Sequence, residues 1–226
     1  MMKYSVLIPA AGEGRRMKLG YNKVFYRMDD RTVIEHTMDL FLKDPDCEEI
    51  VVVTDAAFYC RTIPQGRGKV VLVKGGKTRQ ESVCNGLRAV ISDTVLVHDG
   101  VRPYLTEDCL RAVKEAMETE DAACLAVPVK DTVKCVQNGY IESTPDRAVL
   151  YNAQTPQAFR TDLLRTCMEA AVRDGFTGTD DCSVVERYSD ARIRIVAGSY
   201  DNIKLTTPED IRTVRTPAKK QKSRVC

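Results

Sequence analysis

Four cations follow closely behind a greasy run. Val6-Leu7-Ile8 ends at Pro9, then come Ala10, Ala11, Gly12, Glu13 and Gly14, and then Arg15, Arg16, Lys18 and Lys23. Glycines carry no side chain, so their backbone N–H groups can approach a phosphate or a base closely. Arg16 and Lys23 add mobile positive charge to the same loop. The combination suits a polyphosphate grip. Two better-known glycine motifs are disfavoured. "GEGRRM" lacks the third glycine of the dinucleotide fingerprint, which argues against a nicotinamide site. "GGKT" at Gly75–Thr78 imitates the end of a P-loop, but the first glycine of that motif would fall on Val71, inside an expected strand.

Such a loop works only if a buried strand delivers it. Strand patterns are read at Tyr4–Pro9, Glu49–Thr54, Lys69–Val73, Val95–His98, Ala123–Val129 and Ile193–Ala197. Most are continuously apolar, as strands covered on both faces are. Helical faces lie between them: Val33, Ile34, Thr37, Met38 and Phe41; Val83, Leu87, Val90 and Ile91; Leu110, Val113 and Met117; Leu163, Leu164, Cys167, Met168 and Ala171. A last helix is expected at "TPED", with Thr207 as cap and Pro208 in the first turn. Strand–helix alternation of this kind predicts one α/β domain over residues 1–216, built on a doubly wound, mostly parallel sheet. "DTVKCVQNGYIEST" breaks the alternation. Asn138-Gly139 between β-formers predicts a hairpin within about residues 131–150, either a projecting arm or an edge hairpin of the main sheet. The polar, basic stretch 217–226 is expected to fray.

Composition narrows the function classes. The chain has 226 residues, 43% hydrophobic and 29% charged, with 34 basic against 32 acidic side chains for a net charge of +2. A nucleic-acid coat protein would carry a clear excess of base, so any cationic function is local. Nine cysteines, no two closer than eleven residues, and two histidines give no zinc-ligand spacing. A reduced, cytoplasmic protein with buried thiols is expected. Val6–Ile8 is too short for a secretory leader, and no apolar run approaches a membrane span.

The loop with its trailing lysine resembles the signature of the sugar-phosphate nucleotidyltransferases. "GGKTRQESVCNGL", "LVHDGVRPY", "VPVKDTVK", "TPQAF", "GTDDCSVVE" and "DNIKLTTPED" narrow the resemblance to the 2-C-methyl-D-erythritol 4-phosphate cytidylyltransferases, in the same order and over residues 4 to about 213. The resemblance implies a Rossmann-like nucleotidyltransferase fold and attack of an alditol phosphate on CTP, with release of pyrophosphate. Arg16 and Lys23 would be transition-state cations, joined by Arg147 and Lys204 at the acceptor phosphate. Ala10, Ala11, Gly12, Glu13 and Gly14, with Gly76, Arg79 and Ser82, would hold the nucleotide. Asp99, Arg102, Thr132, Thr155 and Thr179 would meet the acceptor, and Asp99 would also help to hold Mg²⁺. Asp201 could orient Lys204, while His98 is expected to be structural. The hairpin would reach a neighbouring subunit of a homodimer, so that each site is composite. Asn22 stands where the family commonly has proline, and Lys77 where aspartate is frequent. Ribitol 5-phosphate cytidylyltransferases share much of the pattern, and a nucleotide-binding regulator without activity is the alternative of another class.

Overall fold

The computed structural model describes residues 2–12, 22–54, 68–207 and 210. Arg16, Glu13 and Gly14 lie outside these residues, as do Pro208, Glu209 and the 217–226 tail. In chain order the elements are β1 (Tyr4–Pro9), a 3₁₀ turn (Lys23–Phe25), β2 (Arg27–Met28), β3 (Arg31–Thr32), α1 (Val33–Lys43), β4 (Cys47–Thr54), β5 (Val70–Lys74), α2 (Arg79–Leu87), β6 (Thr94–Val97), α3 (Glu107–Ala116) and β7 (Ala122–Pro128). They are followed by β8 (Cys135–Gln137), β9 (Tyr140–Ser143), a 3₁₀ turn (Arg147–Val149), β10 (Tyr151–Arg160), α4 (Thr161–Arg173), α5 (Asp181–Tyr188) and β11 (Ile193–Ala197).

The main sheet runs β11-β7-β10-β6-β1-β4-β5. All neighbouring pairs are parallel except those of β10, which is antiparallel to both β6 and β7. Side chains alternate across β1, so one strand feeds two cores. Val6 and Ile8 pack with Met38 and Phe41 of α1 and with Leu110 and Val113 of α3. Leu7 packs on the other face with Val83 of α2, Leu164 of α4 and Val185 of α5. Each fully buried aliphatic side chain contributes about 1.5–3 kcal/mol. A capping box at Thr32 and Glu35 starts α1, and Thr78 caps α2 through its Oγ1. The expected helical face at Val83–Ile91 is shorter than its pattern. The helix ends at Leu87, and Ile91 is exposed rather than buried.

β1 lies at the point where chain direction through the sheet reverses. The chain moves outward from it through β4 and β5, then crosses back to β6 on its other side. Open α/β sheets bind ligands at the carboxyl ends of strands beside such a switch point. The hairpin is a separate two-stranded sheet, with Val136 opposite Ile141 and Gln137 opposite Tyr140. Its turn has positive φ at Asn138 (52°) and Gly139 (85°), which asparagine and glycine tolerate best. The hairpin is therefore an arm and not an edge of the main sheet. Val136, Tyr140, Ile141 and Val149 on it are all more than half exposed.

Among the seven described cysteines all are free thiols. Five are buried and Cys84 is half-buried, while Cys135 on the arm is exposed, contrary to the expectation of buried thiols throughout. No described helix is long and apolar enough to cross a membrane.

A candidate active site at the switch point

Among the described residues, two of the larger cavities compete for attention. One, of about 630 Å³, lies beside Met2 between Leu40 of α1 and Leu110 of α3. Its best-held cation is already spent: Lys114 Nζ lies 3.0 Å from Asp44 Oδ2 and 2.6 Å from Asp46 Oδ2, and Tyr4 Oη donates to Asp44 at 2.8 Å. This is a clamp tying α3 to the start of β4. Burial would raise the Asp44 pKa, but its hydrogen bonds and Lys114 outweigh that and hold it below the usual carboxylate range. The stability it contributes is present above the unfolded-state pKa and is lost as pH falls through the lower folded value. Lys114→Ala is expected to cost about 1–3 kcal/mol at pH 7. Chemical denaturation should show that deficit shrinking as the medium is acidified below the ordinary carboxylate pKa. A deficit independent of pH would mean lost packing instead.

The second cavity, about 580 Å³, opens at the switch point. Its floor is Ala10, Ala11 and Gly12 at the end of β1. Ala10 N donates to Val53 O at 2.8 Å, fixing the loop's root to β4. A Cβ on Gly12 would meet nothing within 4 Å, so the backbone faces open space there. A Cβ on Gly75 would sit 2.2 Å from that of Ala11, so only glycine lets the loop after β5 lie against the loop after β1. "GGKT" thus serves close packing and helix capping.

Each wall carries a lysine. Lys23 lines the cleft from the first 3₁₀ turn. Asn22 sets that turn: its Nδ2 donates to Ala10 O, and its Oδ1 accepts from Val24 N at 3.2 Å. A side chain that bridges strand end and turn supplies the restraint that a proline would supply through its ring. Sequence reasoning saw only the missing proline. Across the loop after β5, Gly76 N donates to Ser82 Oγ at 3.0 Å, and that hydroxyl donates to Thr78 O at 2.9 Å. Ser82 lines the cleft, yet its proton is committed to shaping the loop. Lys77 has an exposed side chain, and its N–H donates to Glu81 Oε2 at 2.7 Å.

The loop after β6 supplies Asp99, 6% exposed. Its Oδ2 takes Lys204 Nζ at 2.7 Å, with Arg102 Nε 3.8 Å away, and its Oδ1 takes Arg79 Nε at 3.3 Å. Burial would raise its pKa. Arg79, Lys204 and Arg102 together overcome that and hold the carboxyl far below its ordinary range. Asp99, not Asp201, therefore orients Lys204. The backbone supports this through Leu205 N to Val101 O at 2.9 Å. Arg102 itself is buried, donates from Nη1 to Asn202 O at 2.6 Å, and stands behind Asp99 rather than lining the cleft.

Thr155 is buried as well. Its Oγ1 accepts from Asp99 N at 3.0 Å and pairs with His98 Nδ1 at 3.1 Å, so it holds the β6 loop from within. Burial lowers the His98 pKa to about 4, leaving a neutral, structural ring. Thr179 is exposed beside a small pocket next to Arg79. Thr132 and Arg147 are exposed on the arm, and Arg147 Nη1 donates to Lys130 O at 2.8 Å. Neither lines the cleft of its own chain. From sequence, Asp180 and Asp181 could either orient these loops or be solvated; Asp181 is 1% exposed and takes the Arg79 guanidinium as a fork at 3.0 and 2.7 Å.

A glycine floor, lysine walls and a single carboxylate held among cations, all at the switch point of a doubly wound sheet, are the working parts of a nucleotidyltransferase. Residues 4–216 match the family model of 2-C-methyl-D-erythritol 4-phosphate cytidylyltransferase. Relatives with that name include one from Bacillus velezensis, 44% identical over an alignment of 216 residues, with 93% of each chain covered. Another, from Syntrophotalea carbinolica, is 45% identical, covering 93% of this chain and 94% of the relative. A solved 4-diphosphocytidyl-2C-methyl-D-erythritol synthase from Anaerococcus prevotii superposes with a TM-score of 0.85, at 34% identity and 95% coverage of both chains. The Thermus thermophilus cytidylyltransferase gives 0.80 at 32% identity, over 95% of this chain and 98% of that one. The chain belongs to the 2-C-methyl-D-erythritol 4-phosphate cytidylyltransferase family.

Proposed function

We propose that the chain transfers the cytidylyl group of CTP to 2-C-methyl-D-erythritol 4-phosphate. The products are 4-diphosphocytidyl-2-C-methyl-D-erythritol and pyrophosphate, in the non-mevalonate isoprenoid pathway. An acceptor phosphate oxygen attacks the α-phosphorus in line, and the bond to the β-phosphate breaks. Both reactants are already anionic, so no side chain has to remove a proton. The protein's task is to bring two polyanions together and to stabilise the charge that builds on the leaving pyrophosphate. The observation that carries this reading is the placement of Lys23 and Lys204 on one cleft with a glycine floor.

A divalent cation, Mg²⁺, belongs to the proposal. Among the described residues no three His, Cys, Asp or Glu side chains gather. A single carboxylate fits a hard ion that brings its own phosphate and water ligands, and Asp99, at the cleft with lone pairs remaining, is the residue that would hold it. Such an ion supplies charge neutralisation at the CTP phosphates.

The arm supports a homodimer in which Thr132 and Arg147 serve the neighbour's cleft. It is detached from the main sheet and its apolar side chains face solvent, as association surfaces do. The free thiols favour the cytoplasm.

The test is pyrophosphate release from CTP with each of two acceptors, methylerythritol phosphate and ribitol 5-phosphate, and then with the other three nucleotides. Turnover is expected with CTP and methylerythritol phosphate. Turnover confined to ribitol phosphate would reassign the acceptor, and none with any pair would leave a nucleotide-binding regulator.

A further inference from the structure

Four groups of alternating sign run in line from α5 to the cleft: Asp181, Arg79, Asp99 and Lys204. Arg79 is the hinge of this relay. Its Nη1 and Nη2 each spend an N–H on an oxygen of Asp181, and it is Nε that reaches Asp99 Oδ1. Asp99 Oδ2 is thereby left for Lys204. Burial would weaken the Arg79 charge, but Asp181 and then Asp99 more than restore it, so the guanidinium is held permanently ionised.

The outer end of the relay is itself fixed. Asp181 N donates to Gln157 Oε1 at 3.2 Å and Cys182 N to the same oxygen at 3.1 Å, while Gln157 Nε2 donates to Asp180 Oδ2 at 2.7 Å. Asp180 Oδ1 accepts from Ser183 N at 2.9 Å and caps the helix. Gln157 sits on β10, next to β6 in the sheet. The acid therefore stands on rigid sheet and helix and not on a loop.

We propose that Asp181 is a positioning residue for the acceptor end of the reaction, acting through Arg79. A guanidinium prefers to grip one carboxylate with two nitrogens. Without Asp181, Arg79 is released to chelate Asp99 with its fork. It would then take the oxygen that now aims Lys204, and Lys204 would lose its fixed place beside the acceptor phosphate. The nucleotide end has its own supports, because Thr78 caps α2 and Ser82 braces the Gly76–Thr78 loop. Loss of Asp181 should therefore weigh more on the acceptor than on the nucleotide, whose loop keeps these supports. This inference rests on the proposed cytidylyl transfer.

The experiment uses the full chain with Asp181→Asn, which keeps the shape but removes the charge, and Arg79→Lys, which keeps a charge but cannot span both carboxylates. Steady-state kinetics are measured for each substrate, with thermal melts as the control for folding. D181N is expected to lower kcat/KM for the alditol phosphate about 10- to 100-fold, as loss of an outer partner does. KM for CTP should move by less than about threefold. The double variant should lose no more than the worse single one, since both changes cut one relay.

Wild-type kinetics in D181N or in R79K would overturn the proposal. So would losses that multiply in the double variant, or equal losses toward both substrates. If D181N melts below the assay temperature, the loss of kcat/KM for the alditol phosphate in R79K decides alone. No turnover by the wild-type chain would sink the proposed function and this inference with it, whereas unchanged variants of an active enzyme would sink the positioning role only.

Discussion

Lys23→Ala is expected to cut turnover by about 10²-fold or more while leaving the melting behaviour close to that of the parent. Negative charge grows on the β-phosphate as the bond to the α-phosphorus lengthens. A cation meeting that charge stabilises the transition state more than the ground state, so its loss falls on kcat more than on KM. The fold should not notice. Lys23 opens a three-residue turn whose buried residues are Val24 and Phe25, and the turn is anchored by Asn22. Single-turnover measurements at saturating CTP separate the step. A variant that turns over like the parent, or one that loses only CTP affinity, would remove Lys23 from the chemical step.

The proposed composite site makes a second prediction of large size. Arg147→Ala, like Lys23→Ala, is expected to be nearly inactive alone, because in the proposed function Arg147 would offer a guanidinium fork to the acceptor phosphate. If the arm crosses to its neighbour, one cleft in a mixed dimer is built from an intact Lys23 and an intact Arg147. Equal mixing after subunit exchange places half the chains in such dimers, so about a quarter of parental activity should return. If the arm serves its own chain, each cleft keeps one defect and nothing returns. Pyrophosphate release from the mixture, with each variant alone as the baseline, decides between them.

The centre of the parallel sheet was readable because hydrophobic pattern and strand burial coincide at β1, β4 and β6. β1 begins and ends where its apolar run does and α1 shows its buried stripe, while β11 keeps its expected bounds although only Val196 on it is buried. β10 was not readable. Proline argues against a central strand, and Pro156 lies where the ladder to β7 shifts register between Ala153 and Gln157. The glycine floor and Lys23 could be found from spacing along the chain, whereas Lys204 was marked only by the family resemblance of "DNIKLTTPED". The Arg79–Asp181 fork joins residues 102 positions apart, and nothing in the local pattern of either announces the other. Arg102 and Thr155 were expected to face the acceptor, and the structure instead buries both behind Asp99. Burial of a polar side chain close to the cleft is decided by packing, which spacing does not report.

The reversed strand β10 has one more consequence. It starts beside the place where β7 ends, with Tyr151 opposite Pro128. Residues 129–150 therefore depart from the sheet and rejoin it at neighbouring points, like a tab folded out of a page. Lengthening or trimming such a tab disturbs no strand register, and the entropic penalty of a longer excursion rises only logarithmically. Descendants of this chain could remodel the tab while every strand beneath it stayed in place.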